Sequence, residues 1–258
     1  MKIAVVTPYY KEPERILRRC LDSVQAQTHG DFMHYLVADG HPHAGELRGY
    51  VRTRWIDLPV SHRNFGNTPR GIGGACALAE GADLVYYLDA DNLVLPNHLS
   101  ELVRHYRHCS EQGQPVDAVF ARRYMFPPDH EHMRLIAPED TRGDFVDTSC
   151  ISLARSAGFL WAAWASIPQS AAPMCDRVMC WLMQHHQLRV TWMSEYTVLY
   201  ESNWAQTYHL AGLPVPESGL HDATLDGLAE RFLPADLWSH LRLPWNPAAV
   251  PVQRAAAS

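Results

Sequence analysis

The chain opens on a short apolar run over residues 2–7, rich in β-branched side chains, and this pattern predicts a buried strand. The apolar positions then change period. Ile16, Leu17, Cys20, Leu21 and Val24 recur three and four apart, which predicts a helix over 12–27 with one buried stripe. Residues 33–38 and 55–58 read as further strands. Thr68-Pro69 is a helix start, a capping side chain followed by a proline where a missing N–H costs nothing, and that helix runs to about Gly81. A strand at 84–88, a helix at 96–109 and a strand at 116–121 continue the series. Strands separated by helices predict an α/β fold with a mixed, mostly parallel central sheet flanked by helices.

After residue 121 the alternation breaks. Residues 122–147 are long, polar and proline-containing, the kind of segment that serves as a lid or functional loop. A strand within 146–153, a helix over 174–186 and strands at 189–192 and 197–200 complete the pattern, and 247–258 reads as a flexible tail. The chain therefore divides into a half over 1–125 and a second half over 126–246 of the same domain. Hydrophobic residues at 47% and charged residues at 19% exclude intrinsic disorder. Lys and Arg number 22 against 28 Asp and Glu, a net charge of −6, which argues against a nucleic-acid partner. No charge occurs between Arg155 and Asp176, but Pro168, Gln169 and Pro173 interrupt that stretch. Its apolar core is far shorter than the ~20 residues of a membrane span, so it is expected to be buried or to form a pocket wall. The N-terminus lacks a signal-peptide pattern and the six cysteines form no CxxC pair, which predicts reduced thiols and a cytoplasmic location.

Ligands of open α/β sheets bind at the carboxyl ends of the strands. Here those ends read Thr7-Pro8-Tyr9-Tyr10, Asp39-Gly40 and Asp89-Ala90-Asp91-Asn92. Two carboxylates two residues apart are hard oxygen donors suited to Mg²⁺ or Mn²⁺, and a lone Asp-x-Asp also reads as a strand-ending turn. Zinc is not expected, because Asp129-His130-Glu131-His132 has no second ligand pair and His185-His186 diverge on a helix. Gly71-Ile72-Gly73-Gly74 lacks the spacing of a dinucleotide fingerprint. The first strand is followed by no glycine-rich loop, against a sugar nucleotidyltransferase or an NAD-linked oxidoreductase.

Val5-Val6-Thr7-Pro8-Tyr9-Tyr10, Val37-Ala38-Asp39-Gly40, Asn64-x-Gly66 with Arg70-Gly71, and Leu88-Asp89-Ala90-Asp91 occur in the order and spacing that resemble family 2 glycosyltransferases of the GT-A fold. The resemblance covers roughly 1–125 and implies a Rossmann-like nucleotide-binding half. It implies that Thr7, Pro8 and Tyr9 contact the nucleoside and that Asp39 accepts from base or ribose. Arg70 would lie against base or diphosphate, with Asn64 and Gly66 shaping the loop before it. Asp89 would face the ribose or sugar, and Asp91 the metal, with Asp89 as a further ligand. His41-Pro42 departs from the small polar residue common after Asp-Gly.

In the second half Asp176 opens a helix, where it complements the helix dipole. The resemblance implies that it is the base deprotonating the acceptor, with Cys175 where relatives often have Glu. Asp147, Thr148 and Ser149 line a donor-sugar or acceptor pocket or cap a turn. Trp161 and Trp164, three apart on a helix, stack on a sugar if exposed and are core if buried. His209 would be an additional metal or phosphate contact or a structural residue. The expectation is a metal-assisted, inverting transferase moving one sugar from a nucleotide sugar, UDP-linked, to a soluble or lipid-linked acceptor. The alternative is a non-catalytic nucleotide-sugar-binding accessory protein on the same fold.

Overall fold

β1 (Ile3–Tyr9) is buried at every position, because a parallel strand in the middle of the sheet is covered on both faces and has no solvent side to alternate toward. It pairs in parallel with β2 (Phe32–Ala38) on one side, and β2 pairs in parallel with β3 (Thr53–Asp57) at the sheet edge. Between β1 and β2, α1 (Glu14–Gln25) buries the expected stripe of Leu17, Cys20, Leu21 and Val24. α2 (Asn67–Ala79) leads into β4 (Leu84–Tyr87), the other parallel neighbour of β1, with Ile3 opposite Leu84. The computed structural model describes residues 1–136 and 146–220.

Beyond β4 come β5 (Leu93–Val94), α3 (His98–Glu111), β6 (Ala118–Phe126), β7 (Ile151–Ala154) and α4 (Gly158–Trp161). Short 3-10 turns then lead to α5 (Cys175–His185), β8 (Val190–Glu201) and α6 (Ala205–Ala211). Among the described residues the strands form one sheet in the order β3-β2-β1-β4-β7-β6-β8-β5. β7 runs antiparallel to both β4 and β6, β5 runs antiparallel to β8, and β6 and β8 are parallel.

Three sequence expectations shift here. β6 continues to Phe126, five residues into the segment read as a loop, because Arg122–Phe126 pair with Tyr196–Glu201 through two register shifts. β8 is one 12-residue strand, not two, its polar middle around Ser194 facing solvent. β5 is too short to carry a period and is recruited only by pairing with Val198 and Leu199. Within the expected lid, residues 137–145 lie outside the described residues, as does the 247–258 tail.

The uncharged stretch after Arg155 packs against α2, and glycines set that contact. A Cβ on Gly74 would stand 2.2 Å from the Trp161 carbonyl oxygen, and one on Gly71 would stand 2.6 Å from the Ala165 side chain. The glycine run is thus a packing face that lets the second half approach α2 at backbone contact. Trp161 and Trp164 are fully buried there, which corrects their expected place in an acceptor pocket. Trp161 donates to the Ala154 carbonyl at 3.2 Å, and Trp164 stands edge-on to Tyr87 at 5.1 Å. All six cysteines are free thiols. No helix among the described residues is long and apolar enough to cross a membrane.

Candidate active site

The carboxyl ends of β1, β2 and β4 open into a cleft of about 790 Å³, whose far wall is formed by Asp147, Thr148, Ala172, Pro173, Cys175 and Asp176. The cleft brings together Pro8, Tyr9, Asp39, Gly66, Arg70, Asp89, Asp91, Asp147, Thr148 and Asp176 of the residues singled out from sequence. Thr7, Asn64, Ser149, Trp161, Trp164 and His209 do not line it. His209 is exposed on α6. Thr7 is buried, its Oγ1 2.9 Å from His34 Nε2. Burial holds His34 neutral, its pKa pushed down to about 3. The pair lies beneath the cleft and does not line it.

Asp39 ends β2 and receives a belt of donors from the following loop. The amides of His62 and Arg63 donate to it at 2.8 and 3.0 Å, the Ser61 hydroxyl at 3.3 Å, and His62 Nδ1 lies 2.9 Å away. Burial works to raise this carboxyl, but the His62 and Arg63 hydrogen bonds outweigh it and hold the group below its usual range. Tyr9 is also more enclosed than expected. Its ring is 2% exposed, edge-on to Trp55, and its hydroxyl accepts from the His43 amide at 3.2 Å.

The start of α2 is built by Asn64, not by Thr68 alone. Asn64 Oδ1 accepts the Thr68 amide at 3.2 Å while its Nδ2 donates to Thr68 Oγ1 at 2.8 Å, so the side chain caps the helix and shapes the loop. Gly66 occupies the N-cap with φ +77°, and a Cβ there would press to 2.9 Å from Pro8. Arg70, buried on the same helix, donates from Nη1 to the Phe65 carbonyl at 2.7 Å and to Asn67 Oδ1 at 3.2 Å, and from Nη2 to Asp89. Its guanidinium lies 5.3 Å from the Trp164 ring centre, which gives that tryptophan a supporting place under the cleft floor.

The acidic turn after β4 is held from below by Ser149. Its Oγ accepts the Asp89 amide at 3.1 Å and Asn92 Nδ2 at 2.8 Å, and its own amide donates to Asp147 Oδ1 at 2.9 Å. Ser149 is therefore a fixture of the turn, and the Asp147-Thr148-Ser149 segment both caps a turn and presents its first two residues to the cleft. Asp89 is committed to Arg70, whereas Asp91 stands open to the cleft. The protein walls around Asp91, then the charges of Asp89, Glu201 and Asp147, push its carboxyl up to about 7. Burial also raises the Asp147 carboxyl, against the pull of Arg123, whose Nη1 is 3.7 Å away.

Asp176 lies in the first turn of α5, half-buried, with Oδ1 accepting the Arg177 amide at 2.7 Å. Burial and the Asp147 charge push it up to about 7. Cys175 beside it is driven to about 12 by burial and stays a thiol, so it offers no carboxylate-like base. Several cleft-side residues escaped sequence reasoning. Arg19 donates to the Asp91 carbonyl and to Glu201, both at 2.7 Å, and to Glu131 at 3.2 Å. Arg123 lies 4.7 Å from the Tyr200 ring centre, and Tyr200 lines the cleft. The one available signal was Asn92, adjacent to Asp91; its Oδ1 accepts the Glu201 amide at 2.9 Å and ties the acidic turn to β8.

A family model described as "Glycosyl transferase family 2" matches residues 4–148. Among curated relatives, the succinoglycan biosynthesis protein ExoW of Rhizobium meliloti is 39% identical over 106 residues, covering 38% of this chain and 32% of its own. Hyaluronan synthase of Streptococcus pyogenes is 32% identical over 110 residues, covering 40% of this chain and 26% of its own. The chain thus spans about a third or less of these relatives' length. Among solved structures, S. aureus TarS 1-349 in complex with UDP aligns over 90% of this chain and 71% of its own, with a TM-score of 0.60 at 14% identity. Its complex with UDP-GlcNAc aligns over 90% and 72%, with a TM-score of 0.56 at 13% identity. Identity this low shows the fold alone, a GT-A glycosyltransferase fold.

Proposed function

The chain belongs to glycosyltransferase family 2, whose model covers more than half of it, and on that premise we propose that it transfers a sugar, with inversion, from a nucleoside diphosphate donor to a hydroxyl of a soluble or lipid-linked acceptor. The observation that carries this reading is the composition of one cleft. Donor-side Asp39, Arg70, Asp89 and Asp91 face acceptor-side Asp147 and Asp176 across it. A UDP-linked donor is supported by the UDP and UDP-GlcNAc in the TarS complexes.

The donor set fits a divalent cation. Asp91 is a hard oxygen donor lining the cleft, its carboxyl driven toward the neutral form by the surrounding protein walls and by neighbouring carboxylates. That is an excess of negative charge which a cation would offset. Asp91 would hold Mn²⁺ or Mg²⁺, with Asp89 restrained by Arg70. A metal held by one or two carboxylates completes its shell with water and substrate phosphates. When bound it supplies charge neutralisation for the leaving diphosphate. The remaining work falls to the chain. Asp39 and its belt hold the nucleoside end, and Arg70 fixes Asp89 beside the sugar. Asp176, poised near neutrality, takes the acceptor hydroxyl's proton on a carboxylate oxygen as the acceptor's oxygen attacks the anomeric carbon and the nucleoside diphosphate departs from the opposite face.

Calorimetric titration of UDP with and without Mn²⁺ tests the donor side. Binding to the wild type should depend on Mn²⁺, and Asp91→Ala should lose that dependence; equal affinity in all four titrations rejects the assignment. Slow release of UDP from UDP-sugars by the wild type with Mn²⁺ separates the enzyme from a non-catalytic binder.

A further inference from the structure

The segment that belts Asp39 also carries a feature that the donor scheme leaves unused. Phe65 has φ +56°, in the left-handed region that a bulky side chain rarely adopts, and Arg63 two residues earlier has φ +51°. The Phe65 ring is nonetheless 64% exposed, so neither backbone comfort nor burial favours a phenylalanine there. Its peptide frame is fixed from several directions. The Arg63 amide donates to Asp39 at 3.0 Å, the Arg63 carbonyl accepts from Gln169 Nε2 at 2.8 Å, and the Phe65 carbonyl accepts from Arg70 at 2.7 Å. Gly66 then packs on Pro8. Among the described residues, Phe65 is the exposed large apolar side chain that lines the cleft. The other aromatic faces at this end are occupied. Tyr9 is buried edge-on to Trp55, and the Tyr10 ring has His41 at 4.7 Å and Lys11 at 5.1 Å.

We propose that Phe65 is the stacking platform for the nucleobase of the donor, an inference that rests on the nucleoside diphosphate reading above. Strain held by surrounding anchors, with a ring presented to solvent, is the signature of a pre-organised contact. The base is the part of such a donor with a flat apolar face. The loop that carries Phe65 is the same one whose amides fix Asp39 at the nucleoside end. Stacking tolerates every base because each has a π-face. In this scheme Phe65 supplies affinity for the base and Asp39 supplies hydrogen bonding.

The test titrates UDP and inorganic pyrophosphate, each with Mn²⁺, into the wild type, Phe65→Ala, Phe65→Gly and Phe65→Trp. Phe65→Ala and Phe65→Gly should weaken UDP by roughly 5- to 150-fold, the range carried by base stacking on an aromatic ring, and leave pyrophosphate unchanged. Phe65→Trp should keep UDP affinity. Because glycine adopts this φ without strain, Phe65→Gly should melt no lower than Phe65→Ala, and neither should melt well below the wild type, as both would if the ring were merely structural. UDP affinity in Phe65→Ala within about two-fold of the wild type overturns the proposal, as does a parallel loss of UDP and pyrophosphate. If the wild type binds pyrophosphate but no nucleoside diphosphate, the donor reading falls and this inference with it. Binding of UDP equally by wild type and Phe65→Ala removes this inference alone.

Discussion

On the β2 side of the cleft Asp39 accepts two backbone amides, with a hydroxyl and an imidazole beside it, and its carboxyl sits below the usual range. On the opposite wall Asp176 accepts the amide of its own neighbour, lies close enough to Asp147 to be repelled by it, and is raised to about 7. Both are carboxylates at the end of a regular element, in one cleft. The difference lies in what the surrounding backbone offers. The 61–63 loop turns its N–H groups inward around Asp39, whereas the 3-10 helix Gln169–Met174 brings Asp176 into the cleft, where among the described residues the Arg177 amide donates to it. A saturated carboxylate is a fixture for binding, and an undersatisfied one near neutrality is able to exchange a proton at working pH.

The largest expected effect breaks this contrast at its reactive end. Asp176→Asn should lower turnover by roughly 10²–10⁴-fold while UDP affinity stays near that of the wild type, and near-normal turnover would remove Asp176 as base. In the wild type, log turnover should climb with pH up to about 7 and level off above it, because the carboxylate form is the base. A flat profile from pH 5 to 8 contradicts this.

Next in size is the seam that joins the walls. Gly74→Ala forces a Cβ against the Trp161 carbonyl, and overpacking of this kind costs about 1–3 kcal/mol, a fall of roughly 2–12 °C in melting temperature. Gly30→Ala, with nothing within 4 Å of its Cβ and no positive φ, is the control and should leave the melting temperature unchanged.

The smallest effect is on stability. Burial and the Asp147 charge raise the Asp176 carboxyl from the ordinary carboxylate range to about 7, so the folded state holds this proton more tightly than the unfolded state does. The associated stability is complete below the unfolded pKa and is lost as pH rises through about 7. Asp176→Asn should therefore melt higher than the wild type at pH 8, by about 2–4 °C for each kcal/mol recovered. The gap should narrow toward pH 4. A variant less stable than the wild type at pH 8 would mean that Asp176 is not strained by its surroundings.

Much of the strand-end side of the cleft was readable in advance because it depends on local order. A β-rich run followed by Asp39-Gly40, or by Asp89-Ala90-Asp91, must release its carboxylates where the strand ends, and all three line the cleft. Thr7 lies two residues before the end of β1, and its side chain turns into the core toward His34. The tryptophans show the same limit. Their spacing placed them together on one side of the chain and left open whether that side met solvent or α2.

The sequence by itself determined the alternation of strand and helix, the stripe of α1 and the rim of acidic strand ends. These follow from neighbours two to four positions apart, a range within which backbone geometry dictates which side chains share a face. The tertiary structure decided the rest. It placed Ser149 under the Asp89 turn 60 residues away, Arg70 between Asp89 and the Phe65 carbonyl, and Arg19 across to Glu201, 182 residues distant. It also decided which carboxylates are saturated and which are left poised. That balance depends on donors and charges from several elements meeting at one point, and spacing along the chain carries no record of it.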